Sequence, residues 1–138
     1  MKNKSSVFLL FLSLAGFFDS SYLTILHYKN IIPPCSITYG CEKVLTSQFA
    51  TILDVPISIF GSFFFLTLIF LLLLGWIKYF KLLILAGVLV AVVLLYIQAF
   101  VLRAYCQYCL LVEAIIFAMF ILSFSLVSPA GLDKNKKD

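Results

Sequence analysis

The sequence predicts an all-α integral membrane protein built on four spanning helices, and three observations carry that expectation. Hydrophobic residues make up 64% of the chain and charged residues only 12%. Mean hydropathy is +1.15. The apolar residues fall into four runs of roughly 20 residues each, the length a helix needs to cross about 30 Å of hydrocarbon. A soluble domain of 138 residues leaves too much of its surface in water to hide this much apolar area. The length suits one compact unit.

The first span is read over 6–28, "SVFLLFLSLAGFFDSSYLTILHY". Its basic start and apolar core also suit a signal peptide. The run continues past Asp19 to Tyr28 without an obvious A-x-A-like site, so it is taken as a span. A long loop comes next over 29–55, irregular in its first half because of Pro33, Pro34 and Gly40. Within it "EKVLTSQFATIL" is expected to form a short helix at the interface. The second span is read over 56–77, with Pro56 in its first turn and Asp54 as its cap. "KYF" then makes a tight turn into a third span over 81–102, and a fourth runs over 107–127. The tail "GLDKNKKD" reads as disordered. No repeat or low-complexity tract is present.

Orientation follows from the basic residues, which favour cytoplasmic flanks. With four spans both termini share a side, and Lys2, Lys4, Lys78, Lys81, Lys134, Lys136 and Lys137 lie there, seven of the ten basic residues. Lys29, Lys43 and Arg103 fall on the other. The termini are therefore expected in the cytoplasm, and the net charge of +4 reflects topology. Nothing favours nucleic acid, since no basic stripe interleaves with exposed aromatics.

The same topology gathers all four cysteines at the outer, oxidising face. Cys35 and Cys41 lie in the long loop, and Cys106 and Cys109 form a Cys-X-X-Cys pair opening the fourth span. Three pairings are possible and sequence does not choose among them. Structural staples are one reading, but Cys-X-X-Cys closes so short a loop that it constrains the unfolded chain little. A helix N-terminus instead favours the thiolate. A metal site is another reading, although no His stands beside these cysteines in the outer loop; His27, the single His, lies near the end of span one. Two pairs on one face suggest a relay by thiol–disulfide exchange. A loop pair can meet a soluble partner, whereas a pair at the lipid boundary calls for a lipid-soluble acceptor such as a quinone. No Gly-rich nucleotide motif is present.

Taken together, "DSSYLTILHY", "CSITYGCEKVLTSQFA", "VPISIFG" and "CQYC" resemble the vitamin K epoxide reductase family, over about residues 15–115. The likeness is greatest to its bacterial homologues that oxidise protein thiols. The resemblance implies a four-helix transmembrane bundle around a quinone (ubiquinone or menaquinone), with the outer loop and its short helix capping the site. Residues 1–130 would form that domain and 131–138 a polar cytoplasmic tail. Cys35 would meet the dithiol of a periplasmic DsbA-like or thioredoxin-like thiol oxidase. Cys41 would pass electrons to Cys106, and Cys109 would be the thiolate nearest the quinone. Ser47 matches a loop Ser/Thr near the quinone; from its residue type alone it reads as an ordinary cap. The protein would sit in the inner membrane. Two departures argue against epoxide reduction: Ile57 stands where animal enzymes have a quinone-binding Asn, and Glu113 where they have a Tyr. No thioredoxin-like domain is fused, so the partner is expected to be a separate chain.

Glu113 lies four residues after Cys109 and seven after Cys106, on one helix face with both. An ionisable group inside a span marks function by default. It is therefore read as a quinone-binding group giving a hydrogen bond or a proton, with a polar contact between helices as the alternative. Asp19 is expected to make an interhelical hydrogen bond to Ser, Tyr or Gln98. His27 and Arg103 read as anchors. Tyr22, Tyr39, Tyr105, Tyr108 and Trp76 read as interfacial belts, and Phe63, Phe64 and Phe65 as lipid or core filler. Two rivals remain. A DsbB-type oxidase would carry its Cys-X-X-Cys in the first outer loop, and a small mercuric-ion carrier would bind soft metal through the cysteine pairs.

Overall fold

A computed structural model describes residues 4–35 and 40–125. The tail and Tyr39, together with Lys2, Lys134, Lys136 and Lys137, lie outside the described residues. The elements in order are α1 (Lys4–Tyr28), α2 (Cys41–Leu45), β1 (Thr51–Ile52), β2 (Val55–Pro56), α3 (Ile57–Leu74), α4 (Ile77–Tyr96), a π-helical turn (Ile97–Leu102) and α5 (Gln107–Ser125). Four helices are long and apolar enough to cross a membrane: Ser6–Tyr28, Ile57–Leu74, Ile77–Leu102 and Gln107–Phe124. The protein is thus a four-helix membrane bundle. Helix α1 packs against α3 and α5, and α4 against the same two, which closes a four-sided bundle.

Half of that bundle is solid. Leu9, Phe65, Leu68, Phe80, Ile84 and Met119 interlock there, each with at most 1% of its surface accessible. Gly16 lets the Phe65 ring lie against α1, where any Cβ would collide with it. Towards the loop between α1 and α3, packing gives way to a hydroxyl seam. Thr24 donates to Ser58 Oγ at 2.8 Å, and the Ser21 and Ser62 hydroxyls lie 3.4 Å apart. Small and hydroxyl residues of this kind let spanning helices approach and bond where hydrophobic attraction cannot discriminate.

Two boundaries differ from the sequence expectation. Helix α3 ends at Leu74 because Gly75 adopts φ 76°, with its N–H donating to Leu72 O at 3.2 Å and that of Trp76 to Leu71 O at 3.0 Å. This left-handed glycine cap closes the helix. The turn is therefore Gly75–Trp76, and "KYF" lies inside the start of α4, with Phe80 buried in the core. The interfacial helix is also shorter than expected. It stops at Leu45, and the "TILDVP" stretch instead forms a two-stranded hairpin pairing Thr51 with Pro56 and Ile52 with Val55. Leu53 and Asp54 both take positive φ, 52° and 65°, as a two-residue primed turn requires. Asp54 therefore serves the turn and does not cap α3. Pro56 holds the N-cap position instead, and the Ile57 N–H donates to Ala50 O at 2.8 Å.

Candidate active site

The chain leaves α4 through the π-helical turn and reverses at Arg103, whose φ of 52° is left-handed. The Ala104 N–H donates to the Gln98 carbonyl at 3.1 Å, bringing Cys106 back beneath the turn. Cys106 and Cys109 then stand at the first turn of α5, fixed by the Leu110 N–H donating to Cys106 O at 2.9 Å. Both are free thiols, whereas Cys35 and Cys41 form a disulfide. Of the three pairings open to the sequence, the structure holds the loop pair closed.

The loop sets that disulfide directly on the Cys-X-X-Cys segment. Cys41, Val44, Ala104 and Cys106 make one buried cluster, with Cys35, Tyr108 and Cys109 packed around it. Gly40 is what permits the approach. A Cβ at this position would stand 2.6 Å from Tyr105 N and 2.7 Å from Tyr105 O. Cys41 and Cys106 are both fully buried, while Cys35 is half-buried and so the more accessible end of the loop disulfide. The pKa of the Cys106 thiol is lowered to about 7, chiefly by a hydrogen bond from the Cys109 side chain. Burial opposes this, and the backbone N–H groups of Cys109 and Tyr108 assist it.

Two cavities meet at Cys109. One, about 280 Å³, lies among the spans, with Ile57, Gly61, Phe64, Val112 and Glu113 in its wall. The other, about 320 Å³, lies beneath the loop and reaches His27, Asn30, Pro33 and Ser47. Cys109 lines both. Glu113 and Ser47, the two predicted quinone contacts, thus face different chambers. Ser47 also donates its hydroxyl to Val44 O at 2.7 Å, as a local cap does. Cys106 lines neither of these two cavities and packs with Cys41.

Glu113 is 3% accessible and its Oε1 accepts from Gln98 Nε2 at 2.8 Å. Gln98 Oε1 in turn accepts the Cys106 N–H at 3.2 Å. One buried amide therefore ties the carboxyl facing the cavity to the backbone of the first Cys-X-X-Cys cysteine. Among the described residues, Glu113 Oε2 has no hydrogen-bond partner, and neither does Asp19 Oδ2. The expected bond between Asp19 and a Ser, Tyr or Gln98 is not made at that oxygen. Gln98 is spent on α5, the Ser21 hydroxyl lies beside that of Ser62 on α3, and Thr24 donates to Ser58 Oγ on α3 and to the Ser20 carbonyl.

Gln98 is the residue that sequence reasoning undervalued. Its signal was present: an amide inside the apolar run "LLYIQAFVL", where an unsatisfied polar group is costly. Tyr108 also departs from its expected belt role, because its hydroxyl donates to Pro34 O at 3.0 Å. Tyr22, Tyr105 and Trp76 keep exposed rings, as a belt would. His27 reaches the second cavity. Of the three phenylalanines, Phe63 faces outward, Phe65 is core and Phe64 lines the first cavity.

The sequence profile of the vitamin K epoxide reductase family matches residues 7–124, most of the chain. No curated protein matches it.

Proposed function

The chain belongs to the vitamin K epoxide reductase family, a membrane thiol–disulfide oxidoreductase family, and from that premise we propose that it re-oxidises a periplasmic DsbA-like partner and passes two electrons to a membrane quinone. The observation that carries this reading is Cys109, a free thiol in the wall of an apolar cavity among the spans. A cavity of about 280 Å³ approaches the size of small-molecule sites and is lined almost wholly by carbon, with few convergent polar groups. Glu113 Oε2 is the orphaned buried atom a quinone oxygen would satisfy, so the residues fit the group. Cys109 and Glu113 would hold the ring, with Ser47 reaching Cys109's other face from the second cavity. When bound, a quinone supplies the sink for two electrons and two protons. Ubiquinone and menaquinone both meet that need.

The chain's own residues supply the remaining chemistry. The partner's thiolate attacks Cys35, the accessible sulfur, and releases Cys41. The partner's second thiolate then resolves the mixed disulfide and leaves the loop pair reduced. The Cys41 thiolate next attacks Cys106 of an oxidised Cys106–Cys109 pair, freeing Cys109, and Cys35 resolves that bond. A closed loop disulfide beside two free thiols corresponds to the stage at which the electrons have reached Cys106 and Cys109. Glu113, with Oε1 engaged by Gln98, presents Oε2 as the atom that gives or takes a proton. Ile57 at the cavity wall offers no amide, which keeps epoxide reduction out of the proposal.

The basic residues support the proposed orientation in the inner membrane. Lys4 and Lys78 begin α1 and α4 at one end of the bundle, and topology puts both termini there, proposed as cytoplasmic. A soft-metal carrier needs reduced pairs, and the Cys35–Cys41 disulfide removes two of four sulfur ligands.

The test is anaerobic quinone reduction by the purified protein, driven by a reduced DsbA-type protein, beside Cys109→Ala. Turnover that disappears in Cys109→Ala supports the relay. An absence of turnover with both quinone types sinks it, and metal binding by the reduced cysteines becomes the next measurement.

A further inference from the structure

The two residues inside the Cys-X-X-Cys motif point away from the quinone cavity and toward the loop. Tyr108 Oη donates to Pro34 O at 3.0 Å, and Gln107 Nε2 to the same carbonyl at 3.5 Å. Pro34 immediately precedes Cys35. On the other side of the loop, Gly40, which immediately precedes Cys41, lies against the Tyr105 backbone with no room for a Cβ. Each loop cysteine is therefore held through its preceding residue, one by α5 and the other by the segment entering it. The Tyr108 ring is itself braced on α1, with its centroid 5.8 Å from that of Tyr22.

We propose that Gln107 and Tyr108 form a latch that seats the loop pair on Cys106, making Tyr108 a positioning residue for exchange between the two cysteine pairs. The proposal rests on the relay described above and deepens it. In the exchange, Cys41 Sγ attacks Cys106 Sγ, so that the Cys41–Cys106 bond forms and the Cys106–Cys109 bond breaks. Cys35 Sγ then attacks Cys41 Sγ, forming Cys35–Cys41 and releasing Cys106. Two electrons pass from the loop pair to the helical pair, and the two loop thiol protons end on Cys106 and Cys109. No other reactant is consumed.

Exchange requires the attacking sulfur in line and in contact, so its rate follows the fraction of time the loop is seated. The loop must also release Cys35 to meet a soluble partner. One or two hydrogen bonds at an exposed position suit both demands, because they bias such an equilibrium by about 5- to 30-fold without locking it. The Gly40 seat supplies register and the Pro34 latch supplies the bias.

The deciding experiment needs neither quinone nor partner. In full-length protein carrying Cys35→Ser and Cys109→Ser, Cys41 and Cys106 remain, and their disulfide is titrated against a glutathione redox buffer. Adding Tyr108→Phe, which keeps the ring on Tyr22, should lower the equilibrium constant for that disulfide by about 5-fold. Gly40→Ala should lower it as well, through a separate contact. An unchanged constant in Tyr108→Phe overturns the latch. As a second readout, protein carrying Cys35→Ser and Cys41→Ser is reduced directly by dithiothreitol and its quinone reduction followed. Tyr108→Phe should leave that half-reaction unaltered, and an equal loss there overturns the positioning role. If the disulfide constant shifts while no quinone is reduced by the parent, the latch stands and the quinone reading falls.

Discussion

Replacing Gln98 by Met isolates the link between the carboxyl in the cavity and the first Cys-X-X-Cys cysteine. Methionine is close to glutamine in length and volume and carries no amide, so packing around the π-helical turn is largely kept. Two bonds disappear, Gln98 Nε2 to Glu113 Oε1 at 2.8 Å and the Cys106 N–H to Gln98 Oε1 at 3.2 Å. Gln98 and Glu113 are each 3% accessible and Cys106 is fully buried, so water cannot replace either partner. Each orphaned buried group costs about 1–3 kcal/mol, which gives roughly 2–6 kcal/mol for the pair. At about 1.4 kcal/mol per decade, even the lower figure is near 30-fold in an equilibrium constant. Glu113, freed of its one partner, also loses the orientation that aims Oε2 at the cavity. Denaturant unfolding in mild detergent, followed by helical circular dichroism, should report the stability loss. Anaerobic quinone reduction should fall at least tenfold in the same preparation. A variant that unfolds within about half a kcal/mol of the parent and keeps its turnover would refute the assignment of Gln98 as the link.

Other perturbations test separate parts of the site. Glu113→Gln keeps the shape of the side chain and removes the transferable proton, so quinone turnover should fall at every pH, and full turnover throughout would eliminate the proton-transfer role. With its pKa lowered to about 7, the reduced Cys106 is the attacking thiolate in the reverse exchange onto the loop disulfide, so that reverse step should rise about tenfold per pH unit below that value and level off above it. Cys109→Ala removes the main cause of the shift, and stopped-flow measurement of Cys106 attack on the loop disulfide should then show the inflection moving to higher pH. Gly75→Ala places a Cβ on a left-handed residue and should cost about 1 kcal/mol of unfolding free energy while leaving turnover untouched. A loss of turnover there would mean that the α3–α4 turn communicates with the site.

The spans were legible because crossing a membrane is a demand on length and composition that each segment meets alone. The alignment of Glu113 with Cys109 on one helix face was legible for the same reason, since period and position suffice. The features that escaped are set by a second body or by one special backbone angle. "KYF" carries the charge and aromatics of a turn, yet Gly75 three residues earlier had already closed the helix by adopting positive φ. "EKVLTSQFATIL" has a helical pattern to Leu45, but the primed turn at Leu53–Asp54 draws its last residues into a hairpin. Leucine at positive φ is a strained choice that sequence statistics do not anticipate. The partner of Gln98 depends on how far the π-helical turn rotates one side chain, which no periodicity encodes. The division of Glu113 and Ser47 between two chambers was equally hidden, because a cavity belongs to several elements at once.

The two sulfurs of the Cys-X-X-Cys motif differ by environment more than by sequence. Cys106 is sealed beneath the loop with Cys41, so a sulfur reaching it comes from the loop pair. Cys109, one helical turn further in, lines the chamber under the loop and the chamber among the spans. A cysteine held in the first way is suited to exchange with a thiol, and one that borders both chambers is suited to an acceptor arriving through lipid. Reversing the roles would require a bulky acceptor to displace the loop, and Gly40 shows how little clearance exists there. The proposed order of transfer therefore rests on exclusion as much as on reactivity. The seated loop admits a sulfur to Cys106 and little else, and Gln98 lets the state of that cysteine's backbone bear on the carboxyl beside Cys109.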